Sequence, residues 1–293
     1  MKAVVFGANG QDGLYLVDEL RQRGIEAVGV SRGGPWQRGD VSRREDVAAV
    51  LRAVQPAFVF HLAANSTARH EALFENHETI STGTLNVLEA ARVDCPAARV
   101  FLAGSALQFR NDGSPIDEET PFEASSAYSV ARIQSVYAAR YFRSKGLRTY
   151  VGYLFHHDSP RRPPRHVSQL IASAARRIAA GSSETLELAD VSVVKEWTFA
   201  GDVARAMLAL VEQDDVTEAV IGSGEGHSIQ EWVERCFAIA GRRWQDHVKV
   251  ASAARGDHGR ILSRPDRIRS LGWAPRVGFD QLARMMMTER PAE

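Results

Sequence analysis

Cysteine is scarce: Cys95 and Cys236 are the only two, and they lie far apart in the sequence. Such a pair supports neither a disulfide framework nor a thiolate metal site, and it fits a reducing compartment. Excess charge of either sign is missing as well, since 36 Lys plus Arg stand against 36 Asp plus Glu. Without a global basic field, nucleic acid is not an expected partner. No uninterrupted apolar stretch is long enough for a bilayer, and no secretory leader precedes the first apolar run. The expectation is a soluble, cytoplasmic protein that engages no membrane and no resident metal. Internal repeats and low-complexity tracts are also lacking. The 293 residues can nevertheless bury a large core, as one big domain or two smaller ones.

What is present is concentrated at the start. Ala3 to Phe6 is an apolar run with the length and composition of a buried parallel strand. Gly7-Ala8-Asn9-Gly10-Gln11-Asp12-Gly13 follows at once. Leu14 to Arg23 then shows helical spacing, with Leu16, Val17 and Leu20 on one face. Strand, glycine turn and helix start are the context in which such a motif binds a dinucleotide. Gly7 permits the tight turn, Gly10 lets backbone approach a pyrophosphate, and Gly13 lets the helix pack on the sheet. The first N–H groups and the positive dipole end of the helix then face the phosphates.

A second strand, Glu26 to Val30, ends at Ser31-Arg32-Gly33-Gly34. In a dinucleotide fold an acid at this point would bond the ribose 2′-OH of NAD, whereas an arginine accommodates a 2′-phosphate. The residue is Arg32, so the expected cofactor is NADP(H). A helix-like stretch from Arg44 to Val54 leads to the strand 57–60, and His61-Leu62-Ala63-Ala64 closes it at the edge where ligands bind in open α/β sheets. Helical spacing over about 75–92, a strand over 99–103 ending in Gly104-Ser105, a helix from Ser126 to Lys145 and a strand over 149–155 continue the alternation. This pattern predicts an α/β fold with a doubly wound parallel (Rossmann) sheet. The proline- and charge-rich run 156–164 reads as a loop leaving the sheet. Residues 1–160 and 195–224 are assigned to the dinucleotide-binding domain, and 161–194 with 225–293 to a smaller C-terminal α/β substrate lobe.

Tyr128 and Arg132 fall one helical turn apart on one face. A fixed cation beside a tyrosine stabilises phenolate and suits the phenol to acid/base work. Ser105, at a strand's carboxyl end, can complete a hydrogen-bonding pair around a substrate oxygen. Beside a dinucleotide turn, Ser105, Tyr128 and Arg132 are the candidate catalytic residues.

These motifs resemble the extended short-chain dehydrogenases/reductases, and within them the GDP-mannose 4,6-dehydratase branch. The resemblance spans nearly the whole chain. It rests on the run from Gly7 to Leu16, on Gly39-Asp40-Val41, on His61-Leu62-Ala63-Ala64, and on the loop from Leu154 to Arg162. Lys195-Glu196-Trp197, Gly201-Asp202-Val203, the run from Gly224 to Ser228 and the run from Leu271 to Pro275 extend it. It implies Ser105 in the Ser/Thr role and Tyr128 as acid/base. It places Gln11 and Asp12 at the pyrophosphate, Arg32 at the 2′-phosphate, Asp40 and Val41 at adenine, and Leu62, Ala63 and Ala64 beside the nicotinamide ribose. His156 and Lys195 occupy substrate positions that are usually asparagine and arginine, and Arg255 matches a substrate arginine. His156 reads equally as a satisfied loop histidine, and Lys195 as a solvated strand residue. Arg161 and Arg162 are either a charged loop or a contact across a subunit boundary. A homodimer or homotetramer is implied, with Leu85, Leu88, Ala91, Val136 and Ala139 on the pairing faces.

Two departures from the pattern bear on function. The family's Tyr-x-x-x-Lys is here Tyr128-Ser129-Val130-Ala131-Arg132, and a planar guanidinium does not replace a compact ammonium conservatively. The dehydratases carry a glutamate two places after the catalytic Ser/Thr, where this chain has Leu107. The expected function is therefore an NADPH-dependent reductase of a 4-keto-6-deoxy nucleotide-diphospho-sugar, GDP-linked in the terms of the resemblance. The alternatives are a GDP-mannose 4,6-dehydratase-like enzyme and a non-catalytic dinucleotide-binding homologue.

Overall fold

A computed structural model describes residues 1–65, 67–251 and 259–289. Its centre is a seven-stranded parallel sheet built from β1 (Lys2–Phe6), β2 (Glu26–Ser31), β3 (Gln37–Arg38), β4 (Phe58–His61), β5 (Arg99–Ser105), β6 (Arg148–Leu154) and, last in the chain, a strand at Glu218–Ile221. Across the sheet that last strand leads, followed by β6, β5, β4, β1, β2 and β3. The chain steps outward from β1 to β3 and then returns to β4 on the other side of β1. Strand order reverses there, and the crevice beyond the carboxyl ends of β1 and β4 is where open α/β sheets bind ligands.

Burial on both faces explains the apolar strands. Val4 and Phe6 of β1 enter one core, against α2 (Arg44–Val54), α4 (Gly83–Asp94) and α5 (Ala127–Ser144). Ala3 and Val5 enter the other, where Leu16, Val17 and Leu20 of α1 (Gln11–Gln22) meet Val203, Met207 and Leu210 of a helix at Ala200–Val211. Each large side chain of this kind contributes about 1.5–3 kcal/mol when fully buried. The doubly wound sheet is thus as expected. Helix α1 begins three residues earlier than the periodicity suggested, because the glycine turn itself forms the first turn.

The segment expected as one helix over 75–92 is a composite. It starts as α3 (Leu73–Asn76), widens to a π-helical turn at His77–Thr82 and continues as α4. Beyond β6 follow β7 (His157–Asp158), α6 (Val167–Ala179), β8 (Leu186–Leu188), β9 (Val194–Glu196), β10 (Thr198–Phe199), α7 (Ala200–Val211), β11 (Glu218–Ile221), β12 (Gly226–Ser228), α8 (Ile229–Ile239), β13 (Val248–Val250), β14 (Arg260–Ile261), α9 (Asp266–Ser270) and α10 (Phe279–Thr288). A third core joins α6, α8 and α10 around Trp197 and Trp232, whose rings stack with centroids 4.4 Å apart. Ile268 of α9 and Trp273 pack instead into the core under the sheet, unlike the lobe placement expected for that stretch.

Of the residues expected to face a symmetry mate, Leu88, Ala91, Val136 and Ala139 are buried in the chain's own core, and only Leu85 is exposed. The large apolar side chains exposed on α4 and α5 are Leu85, Val93, Val130, Tyr137 and Tyr141.

One buried carboxylate ties α5 to the sheet edge. Glu218, at the start of β11, accepts Nε and Nη2 of Arg140 (3.0 and 2.7 Å), Nη1 of Arg143 (3.1 Å) and the Tyr153 hydroxyl (2.7 Å). Burial pushes its pKa up, but the Arg140 and Tyr153 hydrogen bonds outweigh this and hold it at about 2. The stabilisation is complete above the ordinary value of 4.5 and is lost as pH falls toward about 2. Replacing Glu218 by Gln is predicted to cost about 3 kcal/mol, the low end for breaking a buried pair because Arg140 is partly solvated. Urea denaturation at neutral pH measures the loss, and the gap between the two proteins closes in acid.

Candidate active site

The site starts from two contacts at which a side chain has no room. Gly7 follows β1 with φ +88°, and a Cβ there would lie 2.6 Å from the Ala63 amide nitrogen, just past the end of β4. A Cβ on Gly13 would lie 2.4 Å from the Gly7 carbonyl oxygen. These contacts bring the turn, the start of α1 and the end of β4 together. Gly10 is the N-cap of α1 and offers no side chain, so the first-turn N–H groups of the helix are left for a ligand.

Two adjoining cavities share Gly7, Gly10, Leu62 and Ala64 in their walls. The smaller, about 180 Å³, is closed by Val30, Ser31, Arg32, Asp40, Val41 and Ala63. Asp40 accepts the Ser42 amide and hydroxyl at 2.9 and 2.8 Å, which holds the turn after β3. Arg32 is exposed, 3.5 Å from Glu75, and is the single cation among the described residues of that wall. The larger cavity, about 400 Å³, carries Gln11, Asp12 and Gly13 together with Ser105, Tyr128 and Arg132 in its walls. Together they form a groove along the strand ends with a glycine cradle at its middle. A Cβ on Gly10 would meet nothing closer than the Gly7 oxygen at 3.4 Å, so backbone lies open to the groove there. The residues present therefore fit a dinucleotide.

Ser105 is the last residue of β5, and its hydroxyl accepts the Leu107 amide at 3.2 Å. Tyr128 stands in the first turn of α5, whose start is fixed by reciprocal capping between Ser126 and Ser129. One turn on, Arg132 donates from Nε to the Tyr128 hydroxyl oxygen at 3.1 Å, with its guanidinium 5.1 Å from the ring centroid. Its Nη1 donates to the Ala103 carbonyl. Arg132 is buried, so this fork is pinned between a strand and the phenol. Leu107 packs against the cluster of Ile80, Tyr128 and Ala131, beside Ala64. Among the described residues that line the larger cavity, Asp12 is the only carboxylate.

The far wall comes from the loop after β6 and from β9. His156 donates from Nδ1 to the Glu196 carbonyl at 2.6 Å, and burial beside Lys195 and Arg162 keeps it well below the ordinary histidine range. Its Nε2 lies 3.1 Å from Asp158 Oδ2, so both ring nitrogens have partners, and the ring also borders the cavity. Lys195 Nζ sits 4.8 Å from the Trp197 ring centroid. Burial pushes its pKa down to about 8, against the pull of Asp158. It is half-buried in the cavity wall. Arg162 lies 3.6 Å from Asp158, which is fully buried and accepts the Ser168 hydroxyl at 2.7 Å. Arg161 turns away from the cavity to α1, reaching Asp18 at 2.7 Å and lying 4.6 Å from the Tyr15 ring centroid. Arg255 lies outside the described residues.

Sequence reasoning missed His157 and His166, both of which line the cavity. His157 reaches Asp12 at 2.8 Å across 145 residues of chain, a pairing that no local pattern displays. Its place just past a strand's carboxyl end was the available signal.

Comparison with known proteins bears on this arrangement as a whole. The family profile described as GDP-mannose 4,6 dehydratase matches residues 4–286. GDP-mannose 4,6 dehydratase 1 of Arabidopsis thaliana is 30% identical over 329 residues, covering 98% of this chain and 89% of its own. Among solved structures, a UDP-glucose 4-epimerase of Thermus thermophilus in complex with NAD superposes with a TM-score of 0.85 at 24% identity, covering 99% of this chain and 98% of its own. RMD of Pseudomonas aeruginosa, complexed with NADPH, superposes with a TM-score of 0.82 at 23% identity and 98% coverage of both chains. At these identities the two structures speak to the fold.

Proposed function

We propose a function from one premise: the chain belongs to the GDP-mannose 4,6-dehydratase family of the extended short-chain dehydrogenases/reductases. The reading is an NADP(H)-dependent enzyme that works at C4 of a nucleotide-diphospho-sugar, with GDP as the nucleotide suggested by the relatives' names. The observation that carries it is the contact of Arg132 with the Tyr128 hydroxyl inside a cavity that runs on to the glycine turn. Gly7, Gly10, Gln11, Asp12 and Gly13 would hold the diphosphate of the cofactor, Asp40 and Val41 the adenine, and Leu62 to Ala64 the nicotinamide side. A bound nicotinamide supplies hydride donation and acceptance. Tyr128 exchanges the proton of the sugar oxygen, Arg132 stabilises its phenolate, and Ser105 orients the same oxygen by hydrogen bonding. Lys195 and Arg162 provide positive charge for the substrate's diphosphate.

The relatives' names favour a dehydratase-type outcome over the reductase expected from the sequence. One observation favours the reductase. Abstracting a proton at C5 needs a base within hydrogen-bond reach. Leu107 has none; Asp12, the one carboxylate among the described lining residues, is engaged by His157; and of the lining histidines His156 meets Glu196 and Asp158 while His166 meets Arg162. Losing a general base typically costs about 10²–10⁴ in rate. We therefore predict that a GDP-linked 4-keto-6-deoxy sugar consumes NADPH at least about 10²-fold faster than GDP-mannose yields a 4-keto product with NADP. NMR and cofactor absorbance follow the two reactions, and Tyr128→Phe abolishes whichever occurs while leaving dinucleotide binding intact. Equal rates would assign the dehydratase, and no turnover of either substrate would favour a dinucleotide-binding homologue without activity.

The preference for NADP(H) rests on Arg32. A charge-assisted contact with a 2′-phosphate is worth about 1.5–3 kcal/mol, a preference of about tenfold or more. Calorimetry is expected to show NADPH binding more tightly than NADH, and Arg32→Ala to narrow the gap.

Assembly is part of the same proposal. Leu85, Val130, Tyr137 and Tyr141 give α4 and α5 an exposed apolar face suited to a symmetry mate. A homodimer or larger symmetric oligomer is expected from light scattering at micromolar concentration, and Tyr137→Glu with Tyr141→Glu is expected to give monomers.

A further inference from the structure

Asp12 stands in an unfavourable place for a site that takes an anion. It lies in the first turn of α1, between Gly10 and Gly13, and borders the cavity with both of them. A bare carboxylate there would oppose the diphosphate that the helix start otherwise attracts.

His157 supplies the compensation. Its Nε2 is 2.8 Å from Asp12 Oδ1, and its Nδ1 is 2.7 Å from the Phe155 carbonyl oxygen. The Gln11 side-chain amide also donates to Asp12 Oδ1, at 3.2 Å, and the Asp12 carboxyl is held far below the ordinary carboxylate range by His157 despite its burial. Asp12 is thus ionised, and an ionised carboxylate and a carbonyl only accept hydrogen bonds. Both ring nitrogens of His157 thus face acceptors, and here the Asp12 contact outweighs burial and so favours the imidazolium form that donates from both. Two further contacts fasten the same loop to the same helix. Ser159 donates to the Gln11 side-chain oxygen at 2.8 Å, and Arg161 to Asp18 at 2.7 Å. The countercharge of the glycine turn therefore comes from the loop that also carries His156 and Arg162 into the cavity.

We propose that His157 is a positioning residue that cancels the Asp12 charge at the diphosphate-binding turn, so that dinucleotide affinity depends on its imidazolium form. This inference rests on the dinucleotide reading of the site. The charged and titratable groups around His157 are Asp12 from α1, His156, Asp158 and Arg162 from its own strand and loop, His166 at the start of α6, and Lys195 of β9, which acts on both other histidines. Burial and Arg162 oppose its charge, Asp12 favours it, and the balance leaves its pKa raised above 6.5. A raised histidine is charged below that value and loses its charge as pH climbs through it. Dinucleotide affinity should therefore fall above neutrality.

The test is fluorescence titration with NADH and with NADPH between about pH 7 and pH 9, the pair of cofactors separating any titration of the 2′-phosphate. The wild type is expected to lose about tenfold in affinity for both, as one pH unit of linkage implies. His157→Gln can still donate to Asp12 but carries no charge. It should bind about tenfold more weakly at pH 7 and show no pH dependence. Asp12→Asn removes the charge that His157 would cancel, so its affinity, whatever its level, should not vary with pH. The double variant Asp12→Asn/His157→Gln should match Asp12→Asn. A double variant weaker than Asp12→Asn would overturn the proposal, since the histidine would then act through loop structure alone. Tight but pH-independent binding by the wild type would overturn it too, while leaving the dinucleotide reading intact. Failure of the wild type to bind either cofactor at any pH would overturn both.

Discussion

The structure depends on a shortage of space at one point. Gly7, Gly13 and the backbone of Ala63 approach so closely that no side chain fits between them. That approach fixes the angle at which α1 leaves β1, and it brings the end of β4 against the turn. Leu62 and Ala64 consequently line both cavities, and the groove is continuous because the two strand ends are. A substitution at Gly7 or Gly13 would move the helix start itself, and with it the dipole and the N–H groups that face the groove. Packing and binding are decided by the same few atoms.

This part of the molecule was legible in the sequence because its information is local. A strand, a glycine turn and a helix face are contiguous, and Tyr128 and Arg132 follow helical spacing within five residues. The doubly wound parallel sheet followed from alternation, and the buried strands carry their apolar runs openly. What stayed hidden was set by distant partners. The π-helical turn at His77–Thr82 obeys no periodicity that 75–92 displays. β12 and β14 acquire strand character only by pairing with β9 on either side. Leu88 and Val136 have the apolar character of a subunit interface, yet the fold consumes them internally. Binary pattern reports that a residue is buried and not what buries it.

The departure at Arg132 looks different once its partners are known. A lysine brings one flexible ammonium to a tyrosine. Arg132 brings a rigid fork, one prong on Tyr128 and another on the Ala103 carbonyl. Because β5 continues from Ala103 to Ser105, one guanidinium registers the tyrosine's helix against the serine's strand. The charge is kept, and the relative position of the two hydroxyls is held more firmly than an ammonium could hold it. Leu107 changes character as well. It packs with Ile80, Ala64, Ala131 and Tyr128, so the position serves the packing that seats the start of the tyrosine's helix.

The contacts between α1 and the loop after β6 also carry a consequence for the order in which the molecule comes into being. Gln11, Asp12 and Asp18 meet Ser159, His157 and Arg161, partners that lie 148, 145 and 143 residues downstream. On a ribosome adding about 5–20 residues per second, the first strand, turn and helix wait roughly 7–30 s before those partners have been made. Throughout that interval α7, which covers Ala3 and Val5 of β1, has not been made, and Asp12 lacks its His157 partner in the nascent turn. The most recognisable motif in the sequence is therefore among the last parts of the protein to be finished. Closing its long-range contacts early would carry the entropy of a loop of more than a hundred residues.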